Sequence, residues 1–170
     1  MARIHYIIGD ATKPIVRKGE NSLIVHCCNT LGAWGAGFVI PLGKRYPKAK
    51  ESYLEYIHNG NVKLGHVDEV KVADNIYVEN LIGQSFLYKK KNGEIPCNYT
   101  AIQYGFMNIL YKWQSKDEKF SIHMPRIGCG LAGGDWKIIE KIINRQFCHK
   151  GIDVFVYDLK DDGRTEYEKE

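Results

Sequence analysis

Two segments of this sequence carry residue types suited to holding an anion. In Leu23–Phe38 (LIVHCCNTLGAWGAGF) an apolar run ends at Asn29 and empties into a loop containing Gly32, Gly35 and Gly37. In Ile122–Trp136 (IHMPRIGCGLAGGDW) a second apolar run opens into a loop with glycines at 128, 130, 133 and 134, followed by a helix start at Asp135. Glycine lets backbone N–H groups approach a ligand and tolerates positive φ, while a helix N-terminus adds unpaired donors. One such loop is usually a turn. Two of them, each following a strand, imply a bound phosphate group such as a pyrophosphate.

Side chains beside these loops have chemistry of their own, each with a structural alternative. Asp10 follows a strand that ends at Gly9; it is a turn former by position, or its carboxylate accepts from an adenine amino group. Asn29 bonds backbone, holds a ribose hydroxyl or orients water. His26 is flanked by apolar residues, which favours a satisfied core histidine over a general base, though it stays a candidate for proton transfer. Cys129 lies between two glycines, where a helix dipole would lower a thiol pKa, but no histidine partner is identifiable and it is not assigned as a nucleophile. Asp135 suffices as an N-cap, with a catalytic role as its second reading.

The elements that must position these residues alternate strand and helix. Ala2–Ile8 reads as a strand, and Leu23–Cys28 is a continuous apolar run of the kind covered on both faces of a sheet. Helical spacing runs from Phe38 to Tyr46, and Pro47 breaks it before a second helix through Ile57. His66–Ala73 and Ile76–Gln84 read as strands joined by a tight turn at Asp74-Asn75. Asn98 caps a helix through Trp113, Ser121–Pro125 is a strand, Asp135 caps a helix ended by Gly151, and Ile152–Tyr157 is the last strand. The pattern predicts a three-layer α/β/α sandwich around a mixed, mostly parallel sheet of about six strands, in one domain spanning 1–159. Residues 160–170 are charged and nearly free of apolar side chains, and are expected to be flexible and without a catalytic role.

Composition narrows the function classes. With 44% hydrophobic and 26% charged residues and no apolar run near the ~20 needed to cross a bilayer, neither a membrane protein nor a disordered chain is expected. The N-terminus lacks a signal-peptide pattern, so a cytoplasmic or nuclear location is expected. Five cysteines without CxxC or Cys/His spacing argue against a disulfide framework and a zinc site. A net charge of +4, with one basic cluster at Lys89–Lys91, does not by itself establish nucleic-acid binding.

Taken together, Gly9-Asp10, VHCCNTLGAWGAGF followed by KRYPKA, MPRIGCGLAGGDW and the closing FVYDL resemble a macrodomain, the ADP-ribose-binding fold, from Ile4 to Leu159. The chain is most similar to the branch that contains the fungal ADP-ribose 1''-phosphate phosphatase, through HCCNTLGAWGAG with RYPKA, and the terminal ADP-ribose protein glycohydrolase, through RIGCGL.

The resemblance implies that Gly9, Asp10 and Ala11 receive adenine, with Tyr157 lining its pocket. Asn29 and the loop Trp34, Gly35, Ala36, Gly37 and Phe38 would hold the distal ribose and neighbouring phosphate. Ile127, Gly128, Cys129, Gly130 and Leu131 would wrap the pyrophosphate. His26 is the catalytic candidate it supports, helped by Asn29 or by Asp135, which lies three residues later than the acid of the glycohydrolase pattern. The glycohydrolase pattern has a lysine where Gln84 stands here and an aspartate where Ala132 stands, so a lysine-linked ribose intermediate is not expected. The implied activity is hydrolysis of ADP-ribose 1''-phosphate, with ADP-ribosyl ester or nucleobase-adduct hydrolysis, or non-catalytic ADP-ribose binding, as alternatives. Expected partners are ADP-ribose, ADP-ribose 1''-phosphate or an ADP-ribosylated macromolecule, bound by a monomer without metal or cofactor.

Overall fold

The fold is built around β2, Glu20–Asn29, whose apolar run is buried because it has a strand on each side and helices on both faces. In the computed structural model, which describes residues 1–169, β2 sits inside a six-stranded sheet of order β1-β6-β5-β2-β4-β3. The other strands are β1 (Ile4–Ile8), β3 (Val67–Ala73), β4 (Ile76–Gln84), β5 (Lys119–Met124) and β6 (Val154–Asp158). All pairings are parallel except β3 with β4. Those two form the expected hairpin, whose turn places Asn75 at φ 60°.

Period-two alternation along β2 divides the core. Leu23 and Val25 face one helical layer, of α3 (Tyr99–Gln114) and α4 (Trp136–Gln146). Ile24 and Cys28 face the other, of α1 (Val39–Arg45) and α2 (Pro47–His58). Pro47 opens α2 rather than merely ending α1, because its missing N–H costs nothing at a first helical position. Asn98 caps α3 by accepting from the Ala101 N–H at 2.9 Å, and Phe106 and Trp113 on that helix are fully buried. Truncating either to alanine would cost about 3–5 kcal/mol. The three-layer α/β/α architecture is the one the sequence pattern predicts. Among the described residues no helix is long and apolar enough to cross a membrane.

The C-terminal segment departs from the expected looseness. The Glu168 N–H donates to the Tyr6 carbonyl at 2.8 Å, the Tyr167 hydroxyl donates to Asp158 Oδ2 at 2.6 Å, and Arg3 pairs with the Glu168 carboxylate at 2.5 Å. Local composition predicts a solvated tail because it shows no apolar run, and it is blind to partners more than a hundred residues away. Glu170, the last residue of that tail, lies outside the described residues.

Candidate functional site

All strands but β3 point the same way, so their carboxyl ends form one rim, the usual ligand side of an open α/β sheet. Strand order sets out what stands along it: Gly9-Asp10 after β1, Leu159 after β6, the second glycine loop after β5, the first after β2, and Gln84 at the end of β4. The two glycine loops are neighbours because β2 and β5 are paired.

The first loop is organised by Asn29. Its Oδ1 accepts from the N–H groups of Leu31 and Ala33 at 2.9 and 3.0 Å, its Nδ2 donates to the Ala33 carbonyl at 2.9 Å, and the Tyr53 hydroxyl donates to its backbone carbonyl at 2.5 Å. Oδ1 is thereby filled by the loop, so Asn29 shapes the loop and keeps one Nδ2 hydrogen as its remaining donor. Trp34 is also turned inward, 9% exposed, with its ring edge-on to His26 and tilted on Tyr53. It anchors the loop and leaves the following backbone on the surface. Among the described residues the N–H groups of Gly35, Ala36 and Gly37 have no acceptor. Gly37, at φ 78°, makes the turn into Phe38 and α1.

The second loop presents a matching set. The N–H groups of Gly130, Leu131 and Ala132 have no acceptor among the described residues, while the Gly134 N–H closes the loop on the Gly128 carbonyl at 2.7 Å. That closure needs glycine, because a Cβ at Gly134 would lie 2.4 Å from the Gly128 oxygen. Ile127 points into the core, Leu131 is 71% exposed, and Cys129 is half-buried. Burial, with Cys97 beside it, pushes the Cys129 thiol up to about 12, opposite to the lowering that a helix dipole would give. A thiol of that kind is not a nucleophile.

At the β1 end, Asp10 Oδ1 accepts from both the N–H and the hydroxyl of Thr12, at 2.9 and 2.8 Å, and Arg45 Nε donates to the same hydroxyl at 3.2 Å. This fixes the carboxylate and leaves Oδ2 without a donor among the described residues. Ala11 and Tyr157 pack with Phe155 beneath this end. Tyr157 is a buried support rather than a pocket wall: its hydroxyl accepts from the Ile15 N–H at 2.9 Å and meets His123 Nδ1 at 2.8 Å. The exposed apolar side chain where β6 ends is Leu159, which the sequence reading passed over.

His26 is not on the rim. It is 2% exposed on the α1–α2 face, between the rings of Trp34 and Phe38, with Nε2 2.5 Å from Asn80 Oδ1. The Asn80 amide is oriented by its own donation to the Ala49 carbonyl at 3.0 Å, so Oδ1 faces the ring and the proton resides on His26 Nε2. Burial lowers the His26 pKa to about 4 against the pull of that bond. This is the satisfied core histidine that its apolar flanks suggest.

Asp135 is exposed where the second loop meets α4. Its Oδ1 caps the helix by accepting from the Lys137 N–H at 2.9 Å, and its own N–H donates to the Tyr99 hydroxyl at 2.8 Å. Tyr99 lines a cavity of about 530 Å³ formed by residues of 85–100, including Phe86 and Asn98. Gln84 borders this end of the rim, its Nε2 donating to the Phe86 carbonyl at 2.9 Å. In strand order the rim therefore carries the Asp10 carboxylate, the second loop's unpaired amides with Asp135 where that loop meets α4, the first loop's unpaired amides, and Gln84, while the Asp135 N–H ties this stretch to Tyr99 and its cavity. Arg126 and Tyr99 were the residues least visible in the sequence, since each acts through a contact with a distant segment.

No protein-family model matches the chain. A solved protein of unknown function from Bacteroides thetaiotaomicron is 41% identical, with a TM-score of 0.87, over 93% of this chain and 99% of that one. The macrodomain protein from Streptomyces coelicolor is 35% identical, with a TM-score of 0.77, over 92% of this chain and 99% of that one. The ADP-ribose 1''-phosphate phosphatase of Candida albicans is 27% identical over 90% of this chain and 99% of its own length. The Chromodomain-helicase-DNA-binding protein 1-like of Danio rerio is 31% identical over 91% of this chain, which spans only 15% of that relative. Fold, rim and sequence likeness agree, and the chain belongs to the macrodomain family.

Proposed function

We propose that this chain binds ADP-ribose derivatives along the rim and hydrolyses the bond to the distal-ribose substituent, with ADP-ribose 1''-phosphate as the substrate. The observation that carries this reading is what stands along one rim: a fixed carboxylate for an adenine amino group, two neighbouring loops with unpaired amides for a pyrophosphate, and a second carboxylate where one of those loops meets α4. The names of full-length fungal relatives support the substrate.

In this reading Gly9, Asp10 and Ala11 receive adenine over the support of Tyr157, and Gly35–Phe38 and Gly128–Leu131 hold the phosphates. Asn29 and Trp34 shape the first loop, and His26 supports it from below. Asp135, the exposed member of the three catalytic candidates, takes a proton from a water whose oxygen bonds the 1''-phosphorus; the bond from phosphorus to the 1''-oxygen breaks, that oxygen recovers the proton, and ADP-ribose and inorganic phosphate result. The amides supply electrostatic stabilisation without reorganising. Purified protein given ADP-ribose 1''-phosphate should release inorganic phosphate. Binding of ADP-ribose without release from any derivative tested would make the chain a binding module.

The cavity beside Asp135 favours a second reading, hydrolysis of an ester or nucleobase adduct of ADP-ribose. Its 530 Å³ is room for a group larger than a phosphate. Parallel assays on a 1''-phosphate and on ADP-ribosylated protein and nucleic acid separate the two.

A further inference from the structure

Arg126 opens the second glycine loop and is the most extensively bonded side chain near the rim. Its Nε donates to Asp158 Oδ1 at 3.0 Å and one terminal nitrogen donates to Asp158 Oδ2 at 2.8 Å, a two-pronged fit. The same nitrogen donates to the Thr165 hydroxyl at 2.8 Å and reaches Asp162 Oδ2 at 3.5 Å. The guanidinium carbon lies 5.3 Å from the Tyr6 ring centre and 5.2 Å from that of Trp136. Trp136 follows Asp135, so Arg126 clamps the two ends of the loop together.

Asp158 connects this clamp to the opposite end of the rim. Its backbone carbonyl accepts from the Gly9 N–H at 2.8 Å, one residue before Asp10. The C-terminal segment encloses the pair: the Tyr167 hydroxyl donates to Asp158 Oδ2, and Asp162 Oδ1 accepts from the N–H groups of Arg164 and Thr165 at 2.8 and 2.7 Å, fixing Thr165 against Arg126.

We infer that Arg126 is a positioning residue for the second glycine loop, and that residues 158–168 form a strap whose Asp158, Asp162, Thr165 and Tyr167 hold it in place. The strap meets the rim at its start, through the Asp158 carbonyl on the Gly9 N–H and through Leu159. It acts through Arg126 by fixing the direction in which the amides of Gly130–Ala132 point. A lysine cannot replace the guanidinium, since it lacks the planar fork that meets Asp158 at two oxygens.

The effect on ligand rests on the cleft being an ADP-ribose site; the effect on the loop does not. The test therefore has two readouts on the full chain: hydrogen exchange at Gly133 and Gly134, whose N–H groups close the loop, and ADP-ribose affinity by calorimetry. For Arg126→Lys, and for Thr165→Val combined with Tyr167→Phe, we expect exchange at both glycines to quicken about tenfold and affinity to fall about five- to tenfold. Thr165→Ser, which keeps the hydroxyl, should restore both values in the Tyr167→Phe background to within about twofold of Tyr167→Phe alone. Unchanged exchange at Gly133 and Gly134 in both variants overturns the inference. Quickened exchange in a protein that never bound ADP-ribose would sustain the strap and refute the proposed ligand. If Arg126→Lys does not fold, the exchange result for the Thr165/Tyr167 pair decides.

Discussion

The backbone N–H of Asp135 donates to the hydroxyl of Tyr99 at 2.8 Å, which ties the start of α4 to the start of α3, where Tyr99 lines the cavity. A helix cap is thereby also a carboxylate at a fixed place on the rim. The two functions are separable because asparagine caps as well as aspartate but does not accept a proton from water.

Asp135→Asn should therefore leave the unfolding midpoint within about 0.5 kcal/mol of wild type. Phosphate release at saturating ADP-ribose 1''-phosphate should fall about 100-fold. Steady-state kinetics with a denaturation curve on the same preparation checks both. A loss below about threefold would remove Asp135 from the chemistry.

Gly134→Ala should disable binding. The new Cβ would meet the Gly128 oxygen at 2.4 Å, a backbone atom that can yield only if the loop opens. Moving those amides takes them out of reach of the ligand, and a displacement of about 1 Å also costs on the order of 100-fold in turnover. Calorimetric titration with ADP-ribose measures this, and an affinity within threefold of wild type would show that the loop does not hold the ligand.

His26 contributes to stability in a pH window that its burial defines. Its pKa falls from 6.5 to about 4 on folding, so the folded state holds the ring neutral where the unfolded chain protonates it. Stability from this group is complete above pH 6.5 and is lost as pH drops toward 4, by up to about 3 kcal/mol. His26→Gln keeps an N–H for Asn80 and removes the titration, so its stability should fall less than that of wild type between pH 7 and 4 in urea unfolding. Turnover should change by less than about tenfold, since loss of a general base costs 10²–10⁴-fold. Parallel stability curves would contradict the burial argument.

Glu79 shows the opposite sign. It stands directly across from Glu69 in the β3–β4 ladder, fully buried, with Trp113 Nε1 bonding both carboxyls at 3.3 and 2.6 Å. Burial, with Glu69 beside it, pushes Glu79 well above the usual carboxylate range, and Oε2 has no partner among the described residues. The folded state thus holds a proton that the unfolded chain releases above about pH 4.5, and stability declines as pH rises from there toward the raised value. Glu79→Gln should be more stable than wild type at pH 8 by about 1–2 kcal/mol, and the gain should shrink at pH 5. Thermal unfolding at the two pH values tests it.

The layer order, β2 at the centre of the sheet and both glycine loops were legible because each is written locally: a continuous apolar run, alternating strand and helix signals, and glycines after strands. The inward turns of Trp34 and Tyr157 were not. Both are aromatics beside a cleft, and only pairing and the packing of Tyr53 and Phe155 decide which way such rings face. Asn29 was legible as a polar residue at a strand end but not as one whose side-chain oxygen the loop consumes. Arg126 carried no local signal, for its hydrogen-bond partners lie 32 and more residues away.

β1 lies at the margin of the sheet, and a marginal strand offers free backbone groups on which a second chain can add. The Glu168 N–H already takes the Tyr6 carbonyl there, and Arg3 and His5 are drawn to the Glu168 carboxylate. The segment that steadies the second glycine loop thus also keeps that edge from serving as a template, so lifting it would expose the chain to self-association as well as slacken that loop.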